Sequence, residues 1–194
     1  MEQRYKKAEH GIELEKMHEF IMQHGETVCY DKGERFECEG EPTRWWGFVE
    51  KGYFKYTVRG ISDGCEHIAW FSFEGEFVGA YPNLLDGSKA QFTIEAVVPC
   101  SVVRVSGEQL KQFFSQNYET LQLCVIMSNH ILTQFQARYI DFHRAKPIER
   151  YNLLIQRCPG IVHDLSLKEI SSFLNIAPQT LSRIRKAIAH GAKK

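Results

Sequence analysis

The apolar and polar positions of the chain fall into three successive textures. Residues 9–24, EHGIELEKMHEFIMQH, set Ile12, Met17, Phe20 and Ile21 at roughly helical intervals, which predicts an amphipathic helix packed on the next part of the chain. From Glu26 the period shortens. TVCYDKGERF, WWGFVEKGYFKYTVRG, CEHIAWFSFEGEFVG and QFTIEAVVPCSVVRVS are brief runs rich in Val, Phe, Tyr and Trp, punctuated by glycine. Short strands joined by frequent turns predict a β-barrel or sandwich, with Gly33, Gly40, Gly52 and Gly75 at turns that want a positive φ. Glu108 to Gln116 then reads as a short helix, and Tyr118 to about Ala145 as a long one without Gly or Pro. Along it Leu121, Cys124, Ser128, Ile131, Phe135, Arg138 and Phe142 alternate three and four apart, the spacing of a coiled-coil seam. A helix buried against its own barrel is the alternative, because Ser128 and Arg138 weaken the seam. Pro147 interrupts the run, and 148–157, IERYNLLIQR, supplies another helix with Tyr151, Leu154 and Ile155 inward.

The stretch LKEISSFLNIAPQTLSRIRK, Leu167 to Lys186, describes two short helices meeting at a tight turn. Ser166 and Glu169 form a capping box at the start of the first. Ile170 and Leu174 face inward, and Ser171 is small where two steeply crossed helices approach most closely. Asn175 stands where a left-handed residue is needed, Ile176 plugs the corner, and Pro178 opens the second helix, whose inward stripe is Leu181, Ile184 and Ile188. Gln179, Thr180, Ser182, Arg183 and Lys186 remain outward, side chains of the kinds that read base edges and hold phosphates. A helical hairpin in some other α-rich domain would show the same pattern.

Charge sharpens this division. The 194 residues carry 24 cationic and 24 acidic side chains, yet residues 1–142 balance at −7 and residues 143–194 at +7. Polyanion binding is therefore expected at the C-terminal end, with an acidic N-terminal part that repels nucleic acid. Hydrophobic content of 43% is ordinary for a soluble globular protein, no run is long enough for a membrane span, and the charged N-terminus lacks an apolar signal region. A cytoplasmic protein without membrane contact is expected. The six cysteines are scattered singly, which predicts free thiols.

The helix-turn-helix stretch closely resembles the DNA-binding end of the cyclic-AMP receptor protein and FNR (Crp/Fnr) superfamily of bacterial transcription regulators. PQTLSRIRK is similar to the recognition helix of a branch in which Pro, Glu, Thr, Leu, Ser and Arg usually follow one another, with Gln179 here in place of the glutamate and Ala177 in place of the usual Ser or Thr N-cap. The upstream order also resembles that superfamily's jelly-roll effector domain: a lysine-glycine turn, GEP near a loop, FVEKGYFKYTV as a hairpin, then GEFVG. The resemblance runs from about residue 26 to residue 188. It implies an α+β chain with a jelly-roll, cyclic-nucleotide-binding-like β-barrel over 1–116, a dimerisation helix over 117–146 and a helix-turn-helix domain over 147–194. It further implies a homodimer on a palindromic operator in double-stranded DNA, RNA polymerase as a candidate partner, an unknown small-molecule effector, and base or phosphate contacts from Gln179, Thr180, Ser182, Arg183 and Lys186. The β-wing that many relatives carry after the recognition helix is not evident in AHGAKK.

Relatives that bind cyclic nucleotides hold the ribose with a glutamate just after a GEFVG-like motif and the phosphate with an arginine-serine pair farther on. Those places fall on Ala80, Ala90 and Gln91, and no arginine occurs between Arg59 and Arg104. Lys89 is the one cation nearby, a point charge without the planar fork of arginine. Burying a phosphodiester there is costly, so cyclic nucleotide is not expected to bind. Trp45, Trp46, Trp70, Tyr81 and Phe92 could line an apolar cavity or simply fill the core. No cofactor is expected: no cysteine precedes Cys29 to build an iron-sulfur cluster, and His67, His130 and His143 are isolated. Two rivals stay open. A metal-dependent jelly-roll enzyme needs clustered histidines, and Glu26 to Gly107 holds only His67, so no enzyme is expected. A protein-interaction module whose helix-turn-helix no longer binds DNA is the other.

Overall fold

The computed structural model describes residues 12–191. The first expected helix is α1 (Ile12–His24); residues 9–11 of the predicted span lie outside the described residues. Eight strands come next: β1 (Glu26–Tyr30), β2 (Arg35–Glu37), β3 (Trp45–Lys51), β4 (Phe54–Arg59), β5 (Glu66–Ser72), β6 (Phe77–Val78), β7 (Thr93–Ala96) and β8 (Cys100–Ser106). A one-turn helix, α2 (Asn83–Asp86), sits between β6 and β7. The strands pair antiparallel into two sheets, ordered β1-β8-β3-β6 and β2-β7-β4-β5. This interleaved order is that of a double-sheeted jelly roll. The expected closed barrel is corrected: among the described residues no strand ladder joins the two sheets. Their edges include β2, of three residues, and β6, of two, too short to carry a ladder around the rim.

The β3–β4 turn depends on Gly52. Its φ is 81°, and a Cβ there would lie 2.7 Å from both Cys100 Sγ and the Pro99 carbonyl, so both conformation and space require glycine. Between the sheets Val49, Phe54, Val78, Ile94 and Val102 are wholly buried. Alternate strand residues supply this core, as a period of two dictates. All six cysteines are free thiols.

The remaining helices are α3 (Gly107–Phe114), α4 (Tyr118–Arg144), α5 (Pro147–Arg157), α6 (Ile161–Asp164), α7 (Leu167–Phe173) and α8 (Pro178–Gly191). Capping boxes start α3, from Ser106 and Gln109, and α4, from Asn117 and Thr120. Helices α1, α3 and α4 close over one sheet, burying Met17, Ile21, Trp46, Leu110 and Met127 together. On the other side a third core is shared: Tyr53, Ile68, Phe71 and Phe73 of the jelly roll pack with Leu154, Ile161, Ile170, Leu174 and Leu181 of the C-terminal helices.

The long helix turns a different face outward from the predicted seam. Cys124, Ile131 and Arg138 point back toward their own molecule: Cys124 and Ile131 pack on the α1/α3/α4 core, and Arg138 donates to the Phe173 carbonyl at 2.9 Å. Tyr118, Val125, Leu132 and Tyr139 are exposed instead, 54% for Leu132, and recur every seventh residue. Of the other predicted seam residues Leu121 is exposed, whereas Ser128 Oγ lies 2.9 Å from Tyr81 Oη and the Phe135 ring lies 5.0 Å from that of Trp70, both against the jelly roll. One face of the helix is thus buried against the jelly roll and another is apolar and exposed.

Candidate nucleic-acid interface and interdomain cavity

Ser166 accepts from the Glu169 N–H at 3.2 Å while Glu169 accepts from the Ser166 N–H at 2.9 Å, the capping box expected for α7. At its other end Asn175 takes φ 51°, the Ile176 N–H reaches the Ser171 carbonyl at 3.0 Å and the Asn175 N–H the Ser172 carbonyl at 3.0 Å. This is a Schellman closure with asparagine in the position glycine usually takes. Ser171 is 1% exposed at the crossing, and Pro178 begins α8, where its missing N–H costs nothing. Gln179, Arg183 and Lys186 are exposed, and Thr180 and Ser182 half-buried, so the five share one rim of α8 but only three project fully. Leu181 is completely buried and Ile184 half-buried. Ile188, expected in the inward stripe, is exposed, because the core beneath α8 ends a turn earlier.

Helix α7 does not stand free of the jelly roll. It lies along β5, where the Ile68 N–H donates to Ser172 Oγ at 3.3 Å and the Phe71 and Phe173 rings approach to 4.7 Å. Lys55 bridges Glu95 at 3.1 Å and Glu169 at 3.0 Å. Burial alone would lower the Lys55 pKa, but Glu169 and Glu95 outweigh it and leave it raised. Burial likewise pushes the Glu169 carboxyl up, but hydrogen bonds from Ser166 and Lys55 outweigh it and leave it depressed. Tyr53 donates to Asp164 at 2.8 Å, its phenol raised first by burial and then by that bond. Arg157 of α5 pairs with Glu76 beside β6. Arg138 stacks 3.7 Å over the Phe173 ring, and Arg150 donates to the Leu174 carbonyl at 3.1 Å. None of these ties was foreseen; they join residues up to 114 apart, whose pairing no local spacing encodes.

Between the jelly roll and α4 lies a partly enclosed cavity of about 70 Å³. Of the aromatic residues that could line a cavity or fill the core, Trp46, Trp70, Tyr81 and Phe92 line it, together with Ala80. Trp45 does not, because it lies outside under the Arg104 guanidinium, 3.9 Å from its ring centre. Ala90 is buried away from the cavity in a backbone ladder with Gly40 and Glu41, and Lys89 and Gln91 are exposed. No lysine or arginine lines the space. The family's ribose and phosphate places are thus not gathered around one anion site. Sequence reading did not place Tyr56 of β4, Glu76 of the turn before β6, or His130 and Gln134 of α4 in this lining.

Jelly roll, long helix and a helical corner of helix-turn-helix shape thus follow one another along the chain. Residues 27–117 match the family model of the cyclic nucleotide-binding domain. No curated protein matches the sequence closely enough to count as a relative. Among solved structures the chain is similar to FixK2 from Bradyrhizobium japonicum, at 19% identity and a TM-score of 0.73, covering 87% of this chain and 86% of that one. It is also similar to the c-di-GMP responsive global regulator CLP of Xanthomonas campestris, at 14% identity and a TM-score of 0.65 over 92% and 93% of the two chains. The catabolite activator protein of Thermus thermophilus is similar at 16% identity, with a TM-score of 0.54 over 94% and 86%. The domain match covers residues 27–117, and the likeness to these solved structures, all below 20% identity, shows a shared fold. Among the described residues no helix is long and apolar enough to cross a membrane.

Proposed function

We infer that this chain is a sequence-specific, DNA-binding transcription regulator that acts as a homodimer on an inverted-repeat operator. The observation that carries the reading is α8: a helix held at a Schellman corner, opened by Pro178, with exposed Gln179, Arg183 and Lys186 along one rim in the basic end of the molecule. A groove of B-DNA admits such a helix, and its side chains can bond base edges and phosphates. The exposed heptad face of α4, with Tyr118, Val125, Leu132 and Tyr139, is what a twin helix would cover. A dimer would set the two recognition helices about 34 Å apart on successive major grooves.

The jelly roll acts as a sensor without cyclic nucleotide. With no cation lining the cavity and alanine at the ribose place, a phosphodiester would be buried unpaired, and the same holds for a cyclic dinucleotide. Among the described residues no three His, Cys, Asp or Glu side chains cluster as metal ligands. The helix-turn-helix as a pure protein-interaction module is the remaining rival.

Recovering genome fragments bound by the full-length protein tests this directly. The bound fragments should share an inverted repeat, and titration on that sequence should show affinity falling steeply with salt. Calorimetry with cyclic AMP and cyclic GMP should show no micromolar binding. Absence of any salt-sensitive complex with duplex DNA would favour the interaction module.

A further inference from the structure

Helix α7 ends on carbonyls that other elements take up. A helix leaves its last four carbonyls without partners of its own. In α7 the Schellman closure uses two of them, since the Ile176 N–H reaches Ser171 and the Asn175 N–H reaches Ser172. The next two accept from arginines. Arg138 of α4 donates to the Phe173 carbonyl at 2.9 Å and lies 3.7 Å over the Phe173 ring. Arg150 of α5 donates through one terminal nitrogen to the Leu174 carbonyl at 3.1 Å. Its other terminal nitrogen donates to the Ala145 carbonyl at 2.7 Å and, more weakly, to that of Phe142 at 3.4 Å, where α4 ends. One planar guanidinium thus spans the C-terminal, negative ends of two helices, α4 and α7. A lysine cannot do the same, because its ammonium is a point charge without a fixed fork.

Apolar packing does not supply this link. Helices α5 to α8 share a core with the jelly roll through Leu154, Ile161, Ile170 and Leu181, and among the described residues no side chain of α4 belongs to that core. The buried apolar side chains of α4, Leu123 and Met127, sit in the separate core with α1 and α3. Helices α4 and α7 both touch β5, through Phe135 on Trp70 and Phe173 on Phe71. Such contacts are non-directional and leave α7 able to swivel on the strand, whereas bonds from a forked donor to carbonyls fix an angle. Helix α8 follows α7, because Leu181 is buried with Ile170. We propose that Arg138 and Arg150 are positioning residues: by capping α7 from α4 and α5 they set the angle of α8 to the dimer axis, and so the half-site spacing that the dimer accepts.

The proposal rests on the reading of a homodimer on an inverted repeat. Full-length wild type, Arg150→Met and Arg138→Met are titrated on the recovered repeat, on the same repeat with one base pair inserted or removed at its centre, and on a single half-site. One added base pair turns a half-site by about 35° around the duplex, so the wild type should lose about a hundredfold, most of the advantage of linking two half-sites. Each variant should bind the correctly spaced repeat about tenfold more weakly and keep the wild-type affinity for the mis-spaced ones, a spacing penalty of only about tenfold. Affinity for the single half-site, and the dimer seen in light scattering, should not change. Arg150→Lys should behave as Arg150→Met does. A side chain that served stability alone would lower the melting temperature and leave the spacing penalty intact. If Arg150→Met fails to fold, as judged by circular dichroism, Arg138→Met decides. The proposal is overturned if the variants keep the hundredfold penalty, or if they lose as much affinity for the single half-site as for the repeat. A wild type that binds no inverted repeat removes the DNA-binding reading and the proposal with it, whereas a sharp wild-type spacing preference that the variants retain overturns the proposal alone.

Discussion

Gln179 and Arg183 are exposed one turn apart at the start of α8, and Lys186 is exposed farther along the same helix. A glutamine amide can bond adenine in bidentate fashion and an arginine can fork onto guanine, whereas a lysine ammonium serves best on phosphate. Gln179→Ala and Arg183→Ala should each lose about 1–3 kcal/mol at one base pair of a half-site and relax selectivity there. Lys186→Ala should weaken all sequences alike and flatten the salt slope by about one unit for each phosphate no longer neutralised. Titration on single-base operator variants at several salt concentrations separates the two patterns; the reverse assignment would mean that α8 is rotated in the groove. At this scale much was legible in the sequence. Ser166 with Glu169, Asn175 and Pro178 act through neighbours within four residues, so their spacing carries their role. Arg138 was not legible. It reads as a flaw in a seam, and its partners Phe173 and Trp70 lie in other elements.

Elements show where periodicity fails as a guide. Helix α4 has apolar residues nearly all round, including Leu121, Leu123, Val125, Met127, Ile131, Leu132 and Phe135, so its pattern cannot say which face meets the jelly roll and which a twin. The structure shows which of these residues meet the jelly roll and which stay exposed, and this changes the choice of variant. Ile131→Asp would damage the protein's own core, whereas Leu132→Asp puts a charge only on the exposed heptad face. Leu132→Asp should give monomers in light scattering with an unchanged melting temperature of the protomer. Operator binding should fall about a hundredfold, as expected when two half-sites are no longer linked. A Leu132→Asp protein that remains dimeric would place the interface elsewhere. The tie from β4 to α7 has a pH signature as well. Glu169 is depressed from 4.5, so its contribution is complete above that value and lost as pH falls through the lower folded value. Lys55 is raised from 10.5, so its contribution is complete below that value and lost as pH rises through the higher one. The bridge therefore holds across the whole neutral range and fails in acid. Lys55→Met should reduce the loss of thermal stability between about pH 7 and about pH 3, while leaving the Ser166 cap in place. An unchanged acid sensitivity would show that the bridge contributes nothing.

The molecule as a whole is less divisible than its sequence suggests. Composition and motif separate an acidic N-terminal part from a basic C-terminal one, yet Ile68 and Phe71 share a core with Ile170, Leu174 and Leu181. Sequence reading could not see this because the contact spans about half the chain, and apolar residues on both sides are equally well explained by two private cores. Shared burial couples unfolding, so scanning calorimetry of the full chain should show one transition whose calorimetric and van't Hoff enthalpies agree. Two resolved transitions would mean that the shared core is too weak to link the parts.

The position of α7 along β5 bears on how the chain comes to be made. β5 is the outermost strand of its sheet, and a bare edge offers unpaired backbone groups to any passing strand. Its cover arrives late: Ile68 waits for Ser172, 104 residues further on. At about 5–20 residues per second on the ribosome, that is an interval of roughly 5–20 seconds in which the edge has no native guard. Helix α7 is thus also the protective flank of the jelly roll, and a nascent chain stalled before residue 167 would be a sticky one.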